Sequence, residues 1–208
     1  MHAELRSCPR SDGSCFLHNG EACYMAAVSG PRGCRMNRRD FEKVRIDVSF
    51  RLKERHNLDR KVNYILRNVI DQAISKKPFP RQLVSCNVQE IEGNEETVAT
   101  SVNAMCLALL DAAVPLHFMF CGVHVSVGTI VNQVTKKIQP ESSFLFVFKN
   151  SLFTGGELIG SSNRGVFTMA AYEQALKKAK ESVLEVFDFY RQVLEDNVGN
   201  TLAYGIRD

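Results

Sequence analysis

No apolar run in this sequence is long enough to cross a membrane. Runs such as Ala104–Leu110 and Phe144–Phe148 fall far short of the roughly 20 residues that a spanning helix needs. The first residues, MHAELRSCPRSDG, hold no apolar stretch and no cleavage pattern, so no secretory signal is read there. Charge of one sign is scarce as well. Lys and Arg number 26 and Asp and Glu 23, and the net +3 is a weak hint of an anionic partner, far short of a nucleic-acid-binding tail. There are five histidines, and Cys8, Cys15, Cys23 and Cys34 form no C-x-x-C pair. That argues against zinc, and no metal is expected. The cytosol or nucleus is the expected compartment, where the seven cysteines stay free thiols. No Gly-Lys-Ser/Thr follows Thr154-Gly155-Gly156, which reads as a turn and not as a phosphate loop. His56 has no evident Ser or Cys partner for a triad, and His124 reads as half-buried and hydrogen-bonded. Linkers, low-complexity tracts and internal repeats are missing too.

What is present is a legible succession of elements. Gly13 to Gly30 reads as a hairpin, with strands Ser14–His18 and Cys23–Ser29 about an Asn19-Gly20 turn, ended by Gly30-Pro31. The basic loop PRGCRMNRRD follows. Val44, Ile46, Val48, Phe50 and Leu52 alternate with Arg45, Asp47, Ser49 and Arg51, which predicts a half-buried strand. Val62, Ile65, Leu66, Val69, Ile70, Ala73 and Ile74 recur at helical spacing. Asp59 is the expected cap of that helix, with Arg60 and Lys61 in its first turn. Cations there oppose the helix dipole, so the pair reads either as ligand-facing or as two solvated residues.

Leu83 to Ile91 predicts a strand, and a buried helix from about Thr97 to Ala113 follows, stopped by Val114-Pro115. Leu116–Val127 and Thr129–Val134 read as a second hairpin turning at Gly128. Ser142–Asn150 is a continuous apolar strand with Leu152–Gly160 as its partner. A last helix spans roughly Thr168 to Val198, with Gly199 as its C-cap and Lys177, Lys178 and Lys180 on a solvated face. This order predicts one α+β domain.

The stretch IEGNEETVATSVNAMCLALLDAAVPL (Ile91–Leu116) poses the functional question. A buried helix entered from a short polar loop is a natural phosphate cradle. Yet the loop carries Glu92, Glu95 and Glu96.

SVNAMCLALLDAAVPL (Ser101–Leu116), followed by FMFCGVHVSV, resembles the buried helix and next strand of the RNase PH family. SDGSCFLHNGEACYMAAVSGP (Ser11–Pro31) resembles that family's N-terminal hairpin. EVFDFYRQVLEDNV (Glu185–Val198) is similar to the last helix of its ribosomal RNA-processing protein 46 branch, made of eukaryotic exosome ring subunits. The resemblance covers nearly the whole chain. It implies a single RNase PH-like domain over residues 1–208, with mixed β-sheets packed with two central helices and a long C-terminal helix.

Active members of the family degrade RNA from its 3′ end with orthophosphate as the nucleophile. They hold the phosphate in a Gly-Ser/Thr-Arg turn before the buried helix. Counting back from Asn103-Ala104, that turn falls on Glu95, Glu96 and Thr97. The arginine is gone and two carboxylates have arrived. A phosphate about 4 Å from such a group costs on the order of 4 kcal/mol, or roughly a thousandfold in affinity. The family's two catalytic aspartates map near Ile138 and Phe144, and Glu141 is the sole carboxylate between Asp111 and Glu157. The resemblance therefore implies a phosphorolytically inactive member with no cofactor.

Such a chain is expected in the six-membered ring of the RNA exosome core. Its partners are other RNase PH-like ring subunits, RNA-binding cap subunits and RNA, and its sites are nucleus, nucleolus and cytoplasm. Arg60 and Lys61 match a basic pair that touches RNA backbone in active relatives. Arg32, Arg35, Arg38 and Arg39 in the basic loop either track phosphates or form a solvated edge. Two rival readings stay open. One is a stand-alone homodimeric metal-dependent nuclease with Glu92, Glu95 and Glu96 around Mg²⁺, where the plain alternative is an exposed acidic turn. The other is an active site completed by a ring neighbour, to which this chain gives Arg60 and Lys61.

Overall fold

The computed structural model describes residues 1–53, 56–93, 97–129, 139–151 and 156–205. In chain order the elements are β1 (His2–Leu5), β2 (Gly13–Asn19), β3 (Ala22–Gly33), β4 (Arg45–Arg51), α1 (His56–Ala73), β5 (Gln82–Glu92), α2 (Val98–Asp111), β6 (Phe120–Thr129), β7 (Gln139–Lys149), β8 (Glu157–Gly165) and α3 (Met169–Gly205). A short 3₁₀ turn covers Met36–Arg38. The strands make a five-stranded mixed sheet in the order β1-β2-β3-β5-β4 and a three-stranded sheet in the order β6-β7-β8. Among the described residues β4 and β5 pair in parallel and the other strand pairs are antiparallel.

Helix α2 lies between the two sheets, against β2 and β3 on one side and β6 on the other. Its residues from Val98 to Leu109 are all buried. An all-round apolar helix has no other stable place. Gly122 permits the close approach of β6, since a Cβ there would stand 3.0 Å from the Ala99 carbonyl oxygen and the Val102 Cβ. Helix α1 is amphipathic: Val62, Leu66, Val69 and Ile70 are buried while Arg60, Lys61, Tyr64 and Arg67 are exposed. It packs on β4. Helix α3 covers β6 and β7 with Ala175, Ala179, Val183, Val186 and Tyr190. One contiguous apolar cluster joins both sheets and all three helices.

Several boundaries depart from the sequence pattern. The residues left unpaired between β2 and β3 are Gly20 and Glu21, one position beyond the expected Asn19-Gly20, and Gly20 takes a φ of 62°. Gly30-Pro31 does not end β3. The strand absorbs it in a register shift between Ser29 and Arg32 and runs on to Gly33, because an irregularity in the ladder spares the donor that proline lacks. Helix α1 starts at His56, so Asp59 lies inside it and Arg60 and Lys61 fall in the second turn, beyond the reach of the dipole penalty. The partner of β6 is β7, and Gly128 sits in β6 at a register shift between Val127 and Thr129. Beyond Thr129, the expected strand to Val134 lies outside the described residues. The strand paired with β7 on its other side is described from Glu157 to Gly165, five residues beyond the expected Gly160; residues 152–155 of the expected partner lie outside the described residues. Helix α3 passes straight through Gly199. No contact forces a stop there, since a Cβ on Gly199 would meet nothing within 4 Å. Strand β1 alternates, with Ala3 and Leu5 toward the core, but four residues are too short a run to announce a strand.

Candidate functional site

Strands β4 and β5 run parallel with Arg51 opposite Gln89, and each is followed by a helix. Helices α1 and α2 therefore both begin at the same end of the five-stranded sheet. Thr97 is the N-cap of α2, with φ −86° and ψ 0°, and its side chain makes no capping bond. Its Oγ1 lies 3.0 Å from the Tyr24 hydroxyl instead. The Tyr24 hydroxyl is also 3.3 Å from Glu90 Oε1, to which it donates. The backbone N–H of Lys53, just past β4, donates to Glu90 Oε2 at 3.0 Å. Glu90 is only 7% exposed. Gly93 lets these groups close up, because a Cβ there would stand 2.5 Å from Thr97 Oγ1 and 2.9 Å from Glu90 Oε1. The mouth of α2 is thus filled by a buried carboxylate held by a tyrosine and a backbone amide.

Beside Thr97 a cleft of about 600 Å³ opens between α2, β6 and α3. Thr97, Thr100, His124, Ser182 and Glu185 line it, with no lysine or arginine among the described residues. Deeper in, Asn103 ties three elements together. Its Oδ1 accepts the Gly122 N–H at 2.7 Å and the Tyr190 hydroxyl at 2.9 Å, and its Nδ2 donates to the Gly122 carbonyl at 3.1 Å. All seven cysteines are free thiols. Burial pushes Cys15, Cys86 and Cys106 up to about 12, so these thiols are neither nucleophiles nor ligands near neutral pH. No group of three or more His, Cys, Asp or Glu suited to a metal ion occurs among the described residues, and Glu92 is exposed.

The model of the family described as "RNase_PH: 3′ exoribonuclease family, domain 1" matches residues 1–115. The chain belongs to the RNase PH family. It is 27% identical over 199 residues to the exosome complex component RRP46 homolog of Caenorhabditis elegans, a match covering 94% of this chain and 93% of that one. It is 25% identical over 202 residues to the exosome complex component Rrp41 of Archaeoglobus fulgidus, covering 89% of this chain and 78% of that one. Among solved structures it shares the fold of rice (Oryza sativa) Rrp46, with a TM-score of 0.80 and 22% identity over 93% of each chain. A chain of an archaeal exosome core matches with a TM-score of 0.71 and 10% identity, over 91% of this chain and 85% of that one.

The RNase PH fold distributes the residues singled out above unevenly. Thr97 stands where a phosphate-binding turn would enter α2; Glu95 and Glu96 lie outside the described residues. Phe144, at the position expected of one aspartate, is fully buried in β7 and meets Phe167 and Tyr172 edge to ring at 4.9 and 5.8 Å. Ile138 and the side chain of Glu141 lie outside the described residues. Arg60 and Lys61 are exposed on α1, which starts three residues after Lys53. Arg32, Arg35 and Arg39 are exposed at the opposite end of the sheet, where Arg32 faces Leu83 near the start of β5. The length of β5 from Leu83 to Glu90, about 23 Å at the usual strand rise, separates the two basic groups. The side chain of Arg38 is not described. Glu90 and Tyr24 escaped the sequence motifs altogether. The signal for Glu90 was strand parity: it continues the inward series Val84, Cys86 and Val88.

Proposed function

We propose that this chain is a phosphorolytically inactive, structural subunit of an RNA exosome core ring. Residues 1–208 form one RNase PH-like domain that contributes ring edges and RNA channel to 3′–5′ RNA processing and degradation. Its partners are other RNase PH-like ring subunits, RNA-binding cap subunits and RNA, in nucleus, nucleolus and cytoplasm. The named relatives above are exosome components, which supports the assembly. The observation that carries inactivity is Glu90, a buried carboxylate sharing the Tyr24 hydroxyl with Thr97 at the mouth of α2. An anion held about 4 Å from it is disfavoured by on the order of 4 kcal/mol at intermediate dielectric. Glu95 and Glu96 add to the same sign of charge in the sequence.

The outer faces support a ring chain. Strand β8 is an edge of its sheet, and Val166 and Met169 beyond it are 88% and 68% exposed. Exposed apolar side chains beside an unpaired edge suit a neighbouring chain. No observation among the described residues favours the stand-alone metal-dependent nuclease.

The direct test is incubation of the purified chain with 3′-labelled RNA, Mg²⁺ and orthophosphate. No phosphate-dependent release of nucleoside diphosphates is expected. Robust release at rates typical of phosphorolytic enzymes would overturn the reading.

A further inference from the structure

The densest charge on the chain lies away from the degenerate site. Residues 31–45 hold six lysines and arginines against two carboxylates, more net positive charge than the +3 of the whole chain. Within this segment Phe41 is 69% exposed. The Arg81 guanidinium stands over its ring, 5.4 Å from the centroid. Arg81 has a φ of 64°, a conformation that glycine takes at less cost. The side chain carried at this position is the one that stands over Phe41. The Arg81 backbone N–H donates to the Asp40 carbonyl at 3.0 Å, which fastens the loop to the start of β5.

The rest of the segment is equally held. Asp40 Oδ1 accepts the backbone N–H groups of Glu42 and Lys43 at 3.0 and 3.3 Å, so one of the two carboxylates shapes the turn. Arg39 Nε donates to the Cys34 carbonyl at 2.6 Å, which orients that guanidinium. A hollow of about 520 Å³ is lined by Asn37, Arg39, Asp40, Phe41, Glu42 and Arg45. An exposed aromatic ring set among arginines is the combination by which proteins hold single strands. Cations follow the backbone and the ring takes the face of a base.

We propose that Phe41, backed by Arg81, is a stacking platform for a base of single-stranded RNA, with Arg35 and Arg39 neutralising the adjoining phosphates. That the strand is RNA rests on the exosome reading; the stacking site itself rests on Phe41, Arg81 and the charge around them. Lying a strand length from Glu90 and Thr97, this contact serves to hold RNA and takes no part in chemistry.

The test is fluorescence anisotropy of the full chain with a labelled oligoadenylate and with a base-free ribose-phosphate strand of equal length. Phe41→Ala should weaken the oligoadenylate roughly 5- to 150-fold, the range for one stacked base. The salt dependence and the base-free strand should be unaffected, and Phe41→Trp should restore binding. Arg35→Ala with Arg39→Ala should lower the salt slope by about 1.4, two single-strand phosphate contacts. Unchanged binding by Phe41→Ala, or equal losses on both strands, would overturn the proposal. Co-purification with ring partners separates it from the exosome reading. If Phe41→Ala loses ring partners and keeps its RNA affinity, the patch docks a subunit and the stacking site is wrong, while ring membership stands.

Discussion

Glu90 occupies a position on β5 that alternation assigns to the interior, in step with Val84, Cys86 and Val88. A carboxylate there is tolerated because both of its oxygens are hydrogen-bonded, one to Tyr24 and one to the Lys53 amide. The parity was legible in the sequence. Its meaning was not, since the partners come from β3 and from the end of β4, far away along the chain. The arginine loop was legible as charge, but its distance from Arg60 and Lys61 depends on the direction in which β5 runs. The thiols give a residue-scale prediction. Burial raises Cys15, Cys86 and Cys106 from 9.0 to about 12. Their contribution to stability is complete below pH 9.0 and is lost as pH rises toward 12, because the unfolded thiols ionise first. Each thiol steepens the fall by about 1.4 kcal/mol per pH unit. Urea unfolding of Cys86→Ala between pH 9.0 and 10.5 should therefore show a slope shallower by about that amount. A slope equal to that of the unsubstituted chain would contradict the assignment.

At the scale of elements, α2 was the most legible part of the chain, because an all-apolar stretch of that length has a single stable environment. Element existence followed from periodicity nearly throughout. Ends did not, because they are set by tertiary partners: Pro31 is absorbed by a register shift against β5, and β6 finds β7 across a segment whose own pattern suggested a strand. Asn103 shows how α2 is fixed between its neighbours. It satisfies both backbone groups of Gly122 and the hydroxyl of Tyr190, itself pushed well above its ordinary pKa by burial. Asn103→Ala strands both backbone groups of Gly122 and leaves the Tyr190 hydroxyl only the Phe120 carbonyl, 3.4 Å away, and should cost about 2–4 kcal/mol in denaturant unfolding, whereas Tyr190→Phe leaves Gly122 satisfied and should cost about 1 kcal/mol. Equal costs would show that Asn103 is not the hub joining α2, β6 and α3.

For the whole molecule, the proposal joins a fold shared with exosome components to a site read as unfit for phosphorolysis. The sheet edges, the exposed Val166 and Met169 and the arginine loop all face outward. At the mouth of α2, Glu90 is held by the Tyr24 hydroxyl and the Lys53 amide. The resemblance in sequence carried the fold and the missing arginine. It did not carry Glu90 or Phe41, because neither belongs to a local motif. Ring membership is the central claim, and the most direct measurement is the native mass and composition of the tagged chain drawn from its own cells at moderate salt. The expected result is a particle of several hundred kilodaltons, on the order of ten subunits of this size, with other RNase PH-like chains in about equal amounts. A particle of roughly dimer mass without such partners would contradict it.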